Sequence, residues 1–197
     1  NLLKIDFTKE LLNISLEDEE KMIESIIYSL TEIDDINSVM IFVEGKKLNT
    51  LPNSKKILPN TLDRSYGINK IYNINNVKNT NMVTTYFVSK LDNIIYYTPI
   101  SYITNSNKEK IEIIIEELKS NQTYQTNLVS YLSYAAKLLN YEILENSVNL
   151  NFNEEVLNLN NDSIIEEVKY PLSLSIKDTY NKNMVLYYVN DQLIDAL

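Results

Sequence analysis

Hydrophobic positions near the N-terminus change from a strand period to a helix period and back. Leu3, Ile5 and Phe7 alternate with polar residues, which is typical of a half-buried strand. Apolar residues then recur at helical spacing over 22–30 and predict a helix with one buried stripe. The almost wholly apolar segment 38–44 favours a strand in a sheet that helices cover. Gly45 follows where a turn would need a positive φ.

The acidic run Glu17–Glu20 lies at the predicted start of this helix, just after Ser15. Carboxylates there favour the positive end of the helix dipole, so we expect a solvated, helix-capping role. The alternative is a cation site. Four consecutive side chains point around a helix and do not converge on one ion, which counts against it.

The second half of the chain alternates strand and helix signals. Residues 82–88 and 93–104 predict a hairpin, and Ser106 with Glu109 predicts a capping box before a helix over 107–121. Residues 122–136 favour another helix by propensity alone.

A second hairpin is predicted over 141–144 and 147–152, turning at 145–146. Ser163 and Glu166 repeat the capping box before a helix in which Pro171 should cause a kink or a restart. Residues 183–189 then predict a buried strand.

The beginning and the end of the chain repeat one another. Phe7 corresponds to Phe152 and Val43 to Val189, and such a long interval indicates a duplicated domain rather than a solenoid. We therefore expect residues 1–48 to be the C-terminal half of a first module, residues 49–81 a basic connector, and residues 82–197 a complete second module. The first module is expected to lack its front half, so its apolar helix stripe and residues 38–44 should lack the partners that residues 82–121 give the second copy. If this half is folded, we expect that face to be buried against the C-terminal module, a neighbouring chain or a separate front half.

Composition and charge exclude several kinds of chemistry. The chain has no Cys, no His and only two Gly, which leaves no thiolate or imidazole catalysis, no usual zinc site and no glycine-rich phosphate loop. We expect no cofactor and no metal. A net charge of −9 disfavours nucleic-acid binding. The charge is uneven, because residues 45–80 hold six Lys and one Arg against a single Asp.

The order of elements resembles the GerM domain family of sporulation and germination proteins. The segments VNLNFNEEVL and KIDFTKELL resemble its strand-and-turn motif, SIIYSLTEIDDINSVMIFVEGKKL resembles its helix-and-strand ending, and LDRSYGIN resembles its connector. The resemblance implies an α+β fold of tandem small α/β modules. Each would be a mixed β-sheet packed on one side by two helices, similar to ring-building motifs.

The resemblance also implies an extracytoplasmic protein that is membrane-anchored in its full-length form, through an anchor outside this chain. The implied partners are proteins of the spore envelope or of the complex between the forespore and mother-cell membranes. Self-association and peptidoglycan binding are further alternatives. Asn190-Asp191 replaces Glu44-Gly45 in the second copy, and this departure puts the equivalence of the two modules in doubt.

Three functions are weighed. The favoured one is a non-catalytic interaction module, which needs only exposed strand edges or helix faces. The second is a wall-binding module that contacts anionic polymers through a basic surface. That candidate surface comprises Lys46, Lys47, Lys55, Lys56, Arg64 and Tyr66. The third is a glycan hydrolase with two carboxylates, which the position of the acids at helix starts and turns disfavours. The lone Arg64 is expected to pin the connector to its own acidic domain rather than to bind a ligand.

Overall fold

The structure is a computed structural model that describes residues 1–92, 94–120, 127–158 and 163–197. The chain forms two compact units, Asn1–Asn69 and Lys70–Leu197. The helices found in the described ranges are too short or too polar to cross a membrane.

The described residues form three α-helices, three short 3₁₀ turns and eleven strands. The helices are α1 (Glu19–Leu30), α2 (Lys110–Lys119) and α3 (Glu166–Tyr180). The 3₁₀ turns span Lys9–Leu12, Arg64–Tyr66 and Glu154–Val156. The strands are β1 (Leu2–Phe7), β2 (Ser38–Val43), β3 (Lys46–Lys47), β4 (Ile71–Asn73), β5 (Asn81–Leu91), β6 (Ile94–Thr104), β7 (Leu128–Val129), β8 (Leu138–Ile143), β9 (Ser147–Phe152), β10 (Met184–Val189) and β11 (Gln192–Ala196).

The first unit is a three-stranded mixed sheet in the order β1-β2-β3, covered by α1. β1 and β2 run parallel because α1 connects them as a crossover, while β3 returns antiparallel. Ile23 and Ile27 are fully buried on the inner stripe of α1, where they pack against Val39 and Ile41 of β2. The stripe predicted from the sequence is therefore the face that α1 buries.

Residues 49–69 differ from the expected connector, because they belong to the core of the first unit. Leu51, Leu58 and Leu62 are buried in the same cluster as the α1 stripe. Leu62 also exchanges both backbone hydrogen bonds with Val39, at 2.7 and 2.9 Å. The expectation that the C-terminal module, a neighbouring chain or a separate front half must cover this stripe was wrong, since apolar residues spaced along an irregular segment of the same unit cover it.

β2 differs from the expected strand covered on both faces. Its side chains alternate strictly, with Val39, Ile41 and Val43 buried and the residues between them half-buried. β10 repeats this pattern. Both strands therefore bury one face completely, whereas a strand covered by helices on both faces would bury every side chain.

The second unit contains two four-stranded mixed sheets, in the orders β4-β6-β5-β7 and β11-β10-β9-β8. The predicted long hairpin is confirmed as β5–β6, and the second hairpin as β8–β9. Both sheets, α2 and α3 share one hydrophobic core that includes Phe152, Leu172 and Tyr187.

The predicted repeat is visible in the topology of both units. Strand, helix, strand and hairpin return occur as β1-α1-β2-β3 and again as β9-α3-β10-β11. Phe7 pairs with Val43 in the first register, and Phe152 pairs with Val189 in the second. Residues matched by sequence alone therefore occupy the same positions in both sheets.

The two capping boxes predicted at the starts of α2 and α3 do not form. α2 begins after Glu109 and α3 after Ile165, and neither residue caps its helix through a side chain. The Ser106 hydroxyl instead accepts a 3.3 Å hydrogen bond from the backbone of Lys108. Ser163 contributes its carbonyl, which accepts from the backbone of Asn158 at 2.8 Å. Both serines lie too far before the first helical turn to cap it.

Two further helix predictions differ from the structure in part. The restart expected at Pro171 as one alternative does not occur, because α3 continues through it to Tyr180, and the other alternative, a kink, stays a prediction. The helix expected over 122–136 falls partly outside the described residues, and residues 127–136 hold strand β7 and turns instead. Pairing of β7 with β5 overrides the weak helix propensity there.

Candidate interaction surfaces

Two buried carboxylates of α1 hold residues 49–69 in place. Glu19 is 1% exposed, and its oxygens accept hydrogen bonds from the backbone of Asn53 at 2.7 Å and of Ser54 at 2.9 Å. Glu24 is 4% exposed and accepts a 3.0 Å bond from the backbone of Asn69. Since backbone donors satisfy both, these carboxylates fix the loop rather than bind a cation.

The electrostatics of Glu19 agree with this structural role. Desolvation raises the pKa of the Glu19 carboxyl, but hydrogen bonds from Ser54 and Asn53 outweigh it, so the pKa lies below its usual value. The prediction of a solvated acidic run was wrong for this residue. Glu17 and Asp18 beside it are exposed as expected.

Arg64 of the predicted basic surface is engaged within its own unit. Its guanidinium lies 5.0 Å from the centre of the Tyr28 ring and donates to the Thr31 hydroxyl at 3.0 Å. It also forms an ion pair with Glu32. The expectation that Arg64 pins this segment to its own acidic domain agrees with this geometry.

The lysines of the predicted surface are spread over the same unit. Lys56 forms a 2.7 Å ion pair with Glu20 and lies 6.0 Å from the centre of the Tyr66 ring. Lys47 donates to the Asn60 side chain, and Lys55 donates to a nearby carbonyl, that of Pro52. Lys46 lies exposed in β3. Binding of an anionic polymer by these residues stays a prediction.

The sequence did not predict a groove between α2 and β8 in the second unit. Its volume is about 960 Å³. It is lined by Lys108, Glu112, Ile115, Glu116, Lys119, Ser120, Tyr134, Lys137, Leu138, Leu139, Asn140 and Tyr141. β8 forms the outer edge of its sheet, and no strand in the described part of the chain pairs with its second side. Such an edge presents unpaired backbone groups to any partner strand.

Other acidic side chains in the described residues contact neighbouring groups. Within the described ranges, no group of three or more Asp or Glu side chains could hold a metal ion. Glu154 of the 3₁₀ turn accepts a 3.1 Å bond from the Asn190 amide, and Lys169 pairs with Asp195 at 2.6 Å. These acids hold turns and strand ends together. The site features thus define a protein of repeated α+β domains with exposed sheet edges.

Comparison with known proteins shows what these domains are similar to. Residues 1–49 match the family model Germane, described as sporulation and spore germination. Over 154 residues the chain is 29% identical to the spore germination protein GerM of Bacillus subtilis strain 168. This match covers 77% of the chain and 42% of that relative's length.

A solved structure extends the similarity to almost the whole chain. The tandem GerMN domains of the sporulation protein GerM from Bacillus subtilis superpose with a TM-score of 0.86 at 26% identity. The match covers 97% of this chain and 68% of that one. The chain is therefore similar to the GerM domain family over almost its whole length, as its motifs indicated. The names of both relatives refer to sporulation or germination and to no reaction.

Proposed function

We propose that this chain is a non-catalytic interaction module of an extracytoplasmic sporulation and germination protein. It would act in assembly of the spore envelope or of the complex between the forespore and mother-cell membranes. Membrane attachment would come from an anchor outside this chain. Its partners would be envelope proteins, including further copies of itself.

One observation carries this proposal: two GerM-type units present sheet edges, and the acids Glu19, Glu24 and Glu154 hold loops and turns. β8 and β1 each pair on one side only among the described strands. In the second unit β9, the counterpart of β1, pairs on both sides. Strand edges of this kind recruit other chains through backbone hydrogen bonds.

Cross-linking in sporulating cells tests this proposal. The full-length protein, carrying an affinity tag, is cross-linked during sporulation, and the captured proteins are identified by mass spectrometry. We expect envelope proteins to be captured with the native protein. A Phe152→Asp variant is the matched control, because a carboxylate in place of this fully buried ring disrupts the second unit. Recovery of no envelope protein, or the same proteins with the control, would contradict the proposal.

Binding to peptidoglycan is the alternative function, and a wall-binding assay with the same full-length protein tests it. Purified walls are mixed with it at low and high ionic strength. Retention that falls steeply with salt, and falls further in a Lys46→Glu variant, would support wall binding through the basic surface. Our proposal expects no retention, because Lys56 and Arg64 are already paired with Glu20 and Glu32.

A further inference from the structure

The edge of β8 that no described strand pairs with, called here its free edge, offers backbone groups in a defined direction. The Leu144 N–H donates to the Ser147 carbonyl at 2.9 Å and closes the β8–β9 hairpin. Hydrogen-bonded pairs alternate along an antiparallel ladder, so Glu142 and Asn140 point their backbone groups at β9. Tyr141 and Ile143 therefore point theirs to the free edge.

The groove beside this edge suits the side chains of an added strand. Leu138 and Tyr141 lie half-buried against the core, and Ile115 of α2 forms the opposite wall. Leu139 is 51% exposed at a β-bulge in the register. A partner segment that pairs with β8 as a fifth strand would place every second one of its side chains over these apolar residues. The bulge limits the pairing to a short segment.

Charge is distributed unequally along the groove. At one end Lys119 donates to the Ala136 carbonyl at 2.6 Å and lies 5.5 Å from the centre of the Tyr134 ring. Lys137 lines the same groove, and its ammonium forms no ion pair with an acid in the described part of the chain. At the other end Lys108 is paired with Glu116. The end at Lys119 and Lys137 is therefore positive within a chain of net charge −9.

We propose that the α2–β8 groove binds an extended peptide segment of a partner protein, which pairs with β8 at Tyr141 and Ile143 and places an acidic residue beside Lys119 and Lys137. This inference rests on the proposed interaction function and names the chemistry of the partner. The edge supplies the backbone hydrogen bonds, the apolar wall accepts alternate side chains, and the lysines select the acidic end.

Synthetic peptides with blocked ends test the site. An eight-residue peptide of alternating Val and Thr with two Asp at one end is compared with one carrying two Lys there. We expect the acidic peptide to bind the whole chain in fluorescence anisotropy and the basic peptide not to bind. Loss of one charge-assisted contact in Lys137→Glu should weaken binding about tenfold. Lys110→Glu, the same charge change on α2 outside the groove, should leave binding unchanged.

Strand pairing is tested separately from charge. An acidic peptide with alternate N-methyl groups keeps its side chains but loses backbone donors, so it should not bind. Amide hydrogen exchange should slow at Tyr141 and Ile143 with the unmethylated peptide. Equal binding of the methylated peptide, or of inorganic polyphosphate without amide protection, would overturn the proposal. If neither peptide binds while cross-linking still captures envelope proteins, only this site fails and the interaction function stands.

Discussion

At the residue scale, the first unit depends on buried carboxylates that resemble ordinary surface acids in the sequence. Glu19 stands within a run of acids at a helix start, yet the backbone of residues 53 and 54 closes over it. Nothing in the local sequence distinguishes it from Glu17. Its burial is decided by a loop that lies more than thirty residues later in the chain.

Glu19→Gln should destabilise the first unit at neutral pH. The carboxylate accepts hydrogen bonds from two backbone N–H groups, whereas an amide has one oxygen to accept and sets its own NH₂ donor against the second N–H. The folded pKa of Glu19 lies below the unfolded one. The stabilisation of the folded state by the ionised Glu19 carboxylate is therefore present above the unfolded pKa of about 4.3 and is lost as the pH falls through the folded pKa. In urea unfolding, the deficit of the variant should be clear at pH 7 and should shrink in acid.

Glu17→Gln is the matched control, since Glu17 is exposed in the same acidic run. It should leave the urea midpoint within experimental error at neutral pH. An equal loss of stability in both variants would assign the effect to the helix dipole rather than to the loop contacts.

At the element scale, the two hairpin turns after β2 and β10 reach one geometry with different residues. Glu44 and Gly45 have φ values of 50° and 74°, and Asn190 and Asp191 have 46° and 67°. A strand side chain fixes each turn: Asp6 accepts from the Gly45 N–H at 3.0 and 3.1 Å. Asn and Asp tolerate this left-handed region better than other residues with a side chain. The sequence departure that put the two modules' equivalence in doubt preserves the turn.

Asn151 performs the role of Asp6 in the second unit. Its oxygen accepts from the Asp191 N–H at 3.1 Å, and its amide donates to the Asp191 carboxylate at 2.6 Å. An amide is needed at position 151 because the Asp191 carboxylate requires a hydrogen-bond donor. The two copies therefore changed strand residue and turn residue together.

α3 carries a proline in its second turn, and Pro171→Ala should stabilise the second unit. Proline inside a helix costs about 3 kcal/mol relative to Ala. Burial of the Pro171 ring offsets part of this cost, by about 0.8 kcal/mol for each of the two methylene groups that Ala lacks. We expect the free energy of unfolding to rise by about 1 kcal/mol in urea titrations.

The neighbouring Leu172→Ala provides the contrast. Leu172 is fully buried, so its truncation should cost about 2–5 kcal/mol. A loss of stability in Pro171→Ala would show that Pro171 helps to place Ser175, whose hydroxyl donates to the Pro171 carbonyl at 2.6 Å and accepts from the Tyr86 N–H at 2.9 Å.

At the scale of the whole molecule, residues 70–197 should fold by themselves. Their core of both sheets, α2 and α3 is formed wholly within this range. We expect the isolated fragment to give a dispersed amide NMR spectrum and one cooperative thermal transition. The fragment with Phe152→Asp is the control that should lose both. A collapsed spectrum for the unsubstituted fragment would show that the second unit needs the first.

The sequence by itself determined the elements and their repetition. Strand and helix periods are local, so β1, α1, β2 and the hairpin arms follow from the order of apolar residues. The matched positions Phe7 and Phe152 also followed, because a duplicated domain keeps the register of its strands.

Only the tertiary structure decided which surfaces are covered and which are open. Leu51, Leu58 and Leu62 lie in a segment without periodicity, and their burial depends on contacts with α1 and β2. The same applies to the buried Glu19 and to the groove between α2 and β8. Each depends on groups distant in the chain meeting in space, which hydrophobic patterning within one segment does not encode.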